Sequence, residues 1–149
     1  EYPFGCCIVY NGIEVVEANT CFSGKNPLQH AEMNVINRSI NTIGLSGLKD
    51  SVIYATTEPC LMCFGAINWV HIPKLVYGTS VAESSKLGFS EIEISVCELK
   101  PRLSYDLEVK YGVLHDECME LFEEWQQRNK LIKKLFKTRE EGQSGDKSM

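Results

Sequence analysis

This 149-residue sequence lacks a long hydrophobic run, a regular cysteine pattern and an excess of positive charge. No stretch approaches the roughly 18 consecutive apolar residues that a membrane-spanning helix needs. The seven cysteines are odd in number and irregularly spaced, which argues against a disulfide framework and for a reducing compartment. The net charge is −5, whereas a protein that wraps a large nucleic acid usually has a basic surface. We therefore expect no membrane partner and a cytoplasmic location.

Positive charge is concentrated only near the C-terminal end. The stretch 130–139 reads KLIKKLFKTR, with apolar residues at helical spacing between the lysines. This pattern predicts an amphipathic helix with a solvated basic face. The residues that follow, 140–149, are polar and contain Gly and Ser. We expect a single domain over 1–137 and a disordered tail over 138–149.

The order of apolar segments predicts an α/β fold. Five strands are predicted at 4–10, 13–18, 51–57, 74–80 and 104–111, and four helices at 31–40, 60–70, 81–87 and 115–136. Asn11-Gly12 between the first two strands predicts a tight hairpin. Such alternation predicts a three-layer α-β-α sandwich around a mixed five-stranded sheet. The sequence does not begin with Met and opens almost directly on a strand, so we expect a segment to precede it.

One histidine and two cysteines form the clearest chemical pattern. A His-x-Glu motif at 30–32 precedes a Pro-Cys-x-x-Cys motif at 59–63. His30, Cys60 and Cys63 offer one imidazole and two thiolates, a set that suits zinc with one coordination position left for water. Each motif opens a predicted helix, whose positive N-terminal end helps to hold the cysteines as thiolates. The sequence therefore predicts an open zinc site.

Glu32 lies two residues after His30 and suits proton transfer better than it suits a fourth structural zinc ligand. Together the motifs match the signature of zinc nucleobase deaminases, so the chain resembles the cytidine-deaminase-like superfamily. That resemblance implies hydrolytic deamination, in which Glu32 takes a proton from zinc-activated water and delivers it to a ring nitrogen. The alternative is a closed structural zinc site with His71, His115 or another cysteine as fourth ligand, which would leave Glu32 unexplained.

The resemblance also implies roles for five further residues, most of them typical of guanine deaminases. Trp69 lies where these enzymes carry a Trp near the base, and Glu91 lies where they carry a proton-shuttling acidic residue. Asn19 matches an Asn that both purine branches use against the base or sugar. Phe4 matches an aromatic wall of the guanine pocket, and Ala31 belongs to the substrate-binding residues of the His-x-Glu motif.

Each of these assignments has a structural alternative. Trp69 fits core or interface packing, Glu91 fits a solvated loop, and Asn19 is a common turn former. The stretch 111–118 instead resembles the start of the C-terminal helix in tRNA adenosine deaminases, whereas Gly88-Phe89 resembles guanine and plant guanosine deaminases.

The sequence is consistent with three functions. The first is deamination of a purine base or nucleoside, above all guanine to xanthine. The second is adenosine-to-inosine editing of a flipped tRNA base, with Lys133 and Lys134 on phosphates. The third is a zinc-binding partner subunit without catalytic activity. The presence of Glu32 argues against this third function. The resemblance implies a homodimer, with a small purine as substrate and tRNA as the alternative partner.

Overall fold

The computed structural model describes residues 1–89 and 91–144, with side chains up to residue 132. Its described elements are, in chain order, β1 (Gly5–Tyr10), β2 (Ile13–Ala18), α1 (Ala31–Leu48), β3 (Val52–Thr57), α2 (Leu61–Val70), β4 (Lys74–Thr79), α3 (Val81–Lys86), α4 (Val96–Leu99), a 3₁₀ turn (Lys100–Arg102), β5 (Glu108–Tyr111) and α5 (His115–Ser144). The five strands form one sheet in the order β2-β1-β3-β4-β5. The prediction of an α/β fold around a mixed five-stranded sheet is confirmed.

The sheet is antiparallel at one side and parallel at the other. β1 pairs antiparallel with both β2 and β3, whereas β3, β4 and β5 run parallel. A row of paired residues crosses the sheet from Val15 through Ile8, Ile53 and Leu75 to Val109. The first four of these are almost fully buried in the core. Alternation along each strand therefore turns one apolar face of the sheet towards the core.

Helices α1 and α2 pack against this apolar face, and their own buried residues complete the core. Val35 and Ile36 come from α1, and Phe64 and Ile67 from α2. α5 instead packs onto β4 at Gly78, where an added Cβ would overlap the Sγ of Cys118 and the backbone oxygen of Thr56. Glycine is therefore required for this close approach of helix and strand. No described helix has the length and apolar character that crossing a bilayer requires.

Several elements differ in extent from their predictions. α1 runs beyond 31–40, with non-helical angles at Gly44 (φ 71°, ψ 172°), because glycine tolerates this turn. Strand β5 is shorter than 104–111, and α4 was not predicted. α5 continues beyond the predicted bound of 136 to Ser144, and Arg and Glu near that point are good helix formers. Residues 145–149 and the side chains of Lys133 and Lys134 lie outside the described part.

Candidate metal and active site

Two helix N-termini converge to form the site. His30 is the N-cap of α1 and Cys60 is the N-cap of α2, and both have extended backbone angles (ψ 156° and ψ 169°). Cys63 lies in the first turn of α2 and is fully buried. Residues at these positions project beyond the helix ends, where unpaired backbone N–H groups favour negative charge. Two thiol groups and an imidazole are therefore held at a position that stabilises thiolates.

The spacing of the three ligand atoms fits a tetrahedral zinc ion. His30 Nδ1 lies 3.7 Å from Cys60 Sγ and 3.6 Å from Cys63 Sγ. All three ligand atoms lie within 4.8 Å of one another. Zn–S and Zn–N bonds of ordinary length at a tetrahedral angle place nitrogen and sulfur about 3.6 Å apart. His30, Cys60 and Cys63 thus have both the chemistry and the separation that zinc requires.

The two cysteines of the site differ in charge: Cys60 is the thiolate and Cys63 keeps its proton. A hydrogen bond from the Cys63 thiol, followed by one from His30, lowers the pKa of Cys60 to about 4. Loss of the Cys63 proton would break that hydrogen bond, so the pKa of Cys63 is raised. The hydrogen bond to Cys60 likewise raises the pKa of His30. The site therefore holds one thiolate readily, and a cation would favour the second.

Glu32 lies beside this ligand set, in the first turn of α1. The residue is buried, and its Oε2 lies 3.5 Å from the Sγ of Cys63. Loss of solvation raises the pKa of Glu32 from 4.5 to about 7. A carboxyl group with a pKa close to neutral can both accept and release a proton at working pH. Its position and its pKa both suit a proton carrier.

A cleft of about 420 Å³ opens over His30. Its lining residues are Tyr2, Phe4, Asn19, His30, Leu87, Gly88, Phe89, Glu91 and Trp125. This volume lies within the range of small-molecule pockets. The wall is largely aromatic, and none of the described lining residues is Lys or Arg. The cleft is therefore suited to a planar, uncharged ligand.

Glu91 and Asn19 both reach the cleft. Glu91 is half-buried there, and its pKa is raised by burial and by the charge of Cys60. Asn19 is 1% exposed, and its Oδ1 accepts a hydrogen bond of 3.2 Å from the backbone N–H of Cys21. Asn34 of α1 donates to Ala18 O, at 2.8 Å, and thereby fixes the start of this loop. Asn19 is thus both a turn former and a cleft residue.

Trp69 and Ala31 do not place their side chains in the cleft. Trp69 lies in the last turn of α2 and is 84% exposed, so the structure does not bring it to the metal site within one chain. The Ala31 side chain is fully buried in the core, because it faces the sheet from the first position of α1. Any contact of Ala31 with a substrate would therefore come from its backbone.

Three aromatic residues of the cleft were not predicted as site residues: Tyr2, Phe89 and Trp125. The Trp125 indole donates a hydrogen bond of 2.7 Å to Glu1 O and packs 5.1 Å from the Phe89 ring. Tyr2 packs 5.7 Å from the same ring. Trp125 lies three residues after buried Phe122 on α5, which is a signal for an inward-facing position. That signal alone indicates burial and not proximity to a metal site.

Comparison with known proteins agrees with this geometry. Residues 1–79 match the cytidine and deoxycytidylate deaminase zinc-binding region. The tRNA-specific adenosine deaminase of Streptococcus pyogenes is 32% identical over 142 residues, which is 92% of this chain and 81% of that protein. Guanine deaminase from Bacillus subtilis is 32% identical over 90 residues, covering 60% of this chain and 58% of that protein.

Solved structures show the same architecture. A tRNA:A34 deaminase matches with a TM-score of 0.66 and 26% identity, covering 80% of this chain and 84% of its own. Guanine deaminase from Nitrosomonas europaea matches with a TM-score of 0.71 and 22% identity, covering 83% of this chain and 72% of its own. Relatives with both kinds of substrate therefore share this fold.

Proposed function

Because this chain belongs to the cytidine and deoxycytidylate deaminase zinc-binding family, we propose that it deaminates a purine base or nucleoside, with guanine as the favoured substrate. The observation that supports this choice is the position of Glu91. It shares with His30 a cleft whose walls are aromatic and free of described cationic residues. A second carboxyl group beside the metal ligands would serve a reaction in which protons must reach both a ring nitrogen and a leaving amine.

His30, Cys60 and Cys63 would hold zinc. Zinc in a three-ligand site supplies a hydrolytic nucleophile near neutral pH. Glu32 would accept a proton at its carboxylate and return it to the substrate, as its burial beside Cys63 allows. Two carboxyl groups whose pKa values are both raised by burial can divide proton acceptance and donation between them.

The cleft walls favour a flat aromatic substrate without phosphate. The rings of Phe4 and Phe89 meet edge to face at 5.1 Å and form one wall, and Trp125 extends it. Aromatic surfaces of this kind can stack on any nucleobase, because every base has a planar π-face. Glu91 is the acidic residue among the described lining residues, and its ionised form would repel a phosphate. A free base or a nucleoside therefore fits better than a nucleotide.

A tRNA substrate is the second candidate, and the extent of similarity favours it. The alignment with the Streptococcus pyogenes tRNA-specific adenosine deaminase covers 92% of this chain, whereas that with Bacillus subtilis guanine deaminase covers 60%. A tRNA base would have to be flipped out of its stack to enter the cleft. The basic stretch 130–139 would then contact the nucleic acid. For either substrate we propose a homodimer, as the resemblance implies.

Parallel assays of the zinc-loaded protein separate these candidates. Ammonia release is measured with guanine, guanosine, adenine, adenosine, cytosine and cytidine, and inosine formation is measured in a transfer RNA. We expect turnover of guanine, abolished by Glu32→Ala with zinc retained and lowered at least tenfold by Glu91→Gln. The matched control is Glu93→Gln, two residues along the same segment and exposed. Inosine in the tRNA without turnover of any small molecule would contradict the guanine assignment.

A further inference from the structure

The Glu58 carboxylate occupies an unusual position between the metal site and the wall of the cleft. The residue is 3% exposed and lies two positions before Cys60. Its Oε1 accepts hydrogen bonds from the backbone N–H of Val96 at 2.6 Å and from the Tyr77 hydroxyl at 3.2 Å. Its Oε2 accepts a hydrogen bond from the backbone N–H of Val81 at 2.9 Å. One buried side chain thus receives three donors from three parts of the fold.

Two of these donors lie at the ends of the segment that forms the cleft wall. Val81 is the first residue of α3, and Val96 is the first residue of α4. Between them lie Phe89 and Glu91, both of which line the cleft. A single carboxylate therefore attaches both ends of this segment to the turn that carries Cys60.

A carboxylate has enough acceptor oxygens for all three hydrogen-bond donors. An ionised carboxylate has two oxygen atoms and only accepts hydrogen bonds. An amide of the same shape has one oxygen, so its NH₂ group would face the N–H of either Val81 or Val96. A buried N–H without an acceptor is unfavourable, and one end of the segment would be released. The chemistry of position 58 thus determines whether both ends stay attached.

We propose that Glu58 is a positioning residue. It holds the cleft wall that carries Phe89 and Glu91 in a fixed position relative to the turn that carries Cys60. Its effect on turnover rests on the proposed deaminase function, whereas its effect on the segment does not. Glu58 acts through its hydrogen bonds to Val81 and Val96 and is not among the residues that line the cleft.

The test compares three full-length, zinc-loaded variants with the wild type. Glu58→Gln removes one acceptor without changing the shape of the side chain. Val96→Pro keeps the carboxylate and removes a donor at a first helical position, where proline is tolerated and where Ser95 already has extended angles (φ −73°, ψ 155°). Tyr77→Phe is the matched control, because it removes a donor that is not part of the segment.

Backbone hydrogen exchange and steady-state kinetics are the two readouts. We expect Glu58→Gln to increase exchange at least tenfold in 81–89 or in 91–96, and Val96→Pro to do so in 91–95. Both variants should raise KM at least fivefold, with zinc content unchanged. Tyr77→Phe should change neither beyond about twofold. Loss of folded protein alone would lower the apparent kcat and leave KM unchanged.

The outcomes separate this inference from the function it builds on. Unchanged exchange in the segment would overturn the proposed role of Glu58 whatever the activity. Increased exchange with an unaltered KM would overturn its role in positioning the cleft wall. If the wild type deaminates none of the tested compounds, the proposed function fails, and exchange in the segment still decides whether Glu58 holds it.

Discussion

Replacing Glu32 with Gln should stabilise the metal-free protein at neutral pH while it removes the proton carrier. Burial raises the pKa of Glu32 from 4.5 to about 7 in the folded state. An unfolded chain would ionise this group near 4.5, so between these two pH values only the folded state keeps the proton. The unfolded state then binds fewer protons, and the free energy of unfolding of the wild type falls as pH rises.

The size of this effect follows from the pKa difference. One proton contributes about 1.4 kcal/mol per pH unit, so the loss across the interval from 4.5 to about 7 is about 3 kcal/mol. Gln has nearly the same shape and does not ionise. The advantage of Glu32→Gln should therefore be close to zero below pH 4.5 and reach about 3 kcal/mol above pH 7.

Urea unfolding of the reduced, metal-free protein between pH 4.5 and 8.5 measures this difference. Glu93→Gln is the control, because the same substitution is made there at an exposed position. Equal pH dependence for wild type and Glu32→Gln, or a variant less stable than wild type at pH 8, would refute the desolvation explanation. In the zinc-loaded protein the same variant should bind zinc and lose about 10²- to 10⁴-fold in kcat.

Three further predictions concern the packing around α5. Gly78→Ala should destabilise the protein by about 1–3 kcal/mol in urea unfolding, because its Cβ would overlap the Cys118 sulfur, and adding Cys118→Ala should restore part of the loss. Trp125→Ala should raise KM for guanine with little change in zinc content, since the indole lines the cleft. His115→Gln should lower Tm more at pH 5.5 than at pH 9. Hydrogen bonds to Glu83 and then to Asp116 raise the pKa of His115 above 6.5 in the folded state. The stabilisation from this histidine is therefore complete below pH 6.5 and is lost as pH rises through the raised pKa. At pH 5.5 Glu83 is ionised, because its pKa is lowered to about 2. A Tm difference that does not depend on pH would contradict this last prediction.

Local patterns were sufficient to predict the metal-ligand set. His30 and Cys60 each directly precede a helix that its own sequence specifies, so their backbone geometry depends on neighbours only a few residues away. The convergence of the two helices follows from the strand-helix-strand order of an α/β fold. The structure accordingly brings the three predicted ligand atoms within 4.8 Å of one another.

Residues at the cleft were predicted less well, because their positions depend on long-range packing. Trp69 lies between Asn68 and Val70, and Trp125 lies between Glu124 and Gln126, so the immediate neighbours do not show which of the two tryptophans faces the metal site. The structure exposes Trp69 on α2 and places Trp125 in the cleft through its hydrogen bond to Glu1, at the opposite end of the chain.

The sequence by itself determined the α/β class, the sheet-forming segments and the chemistry of the metal ligands, since hydrophobic periodicity and short motifs act over a few residues. Only the tertiary structure decided which aromatic side chains face the ligand set, that Glu91 shares a cleft with His30, and that Glu58 receives donors from both ends of the cleft wall. Those arrangements depend on how the elements pack against one another.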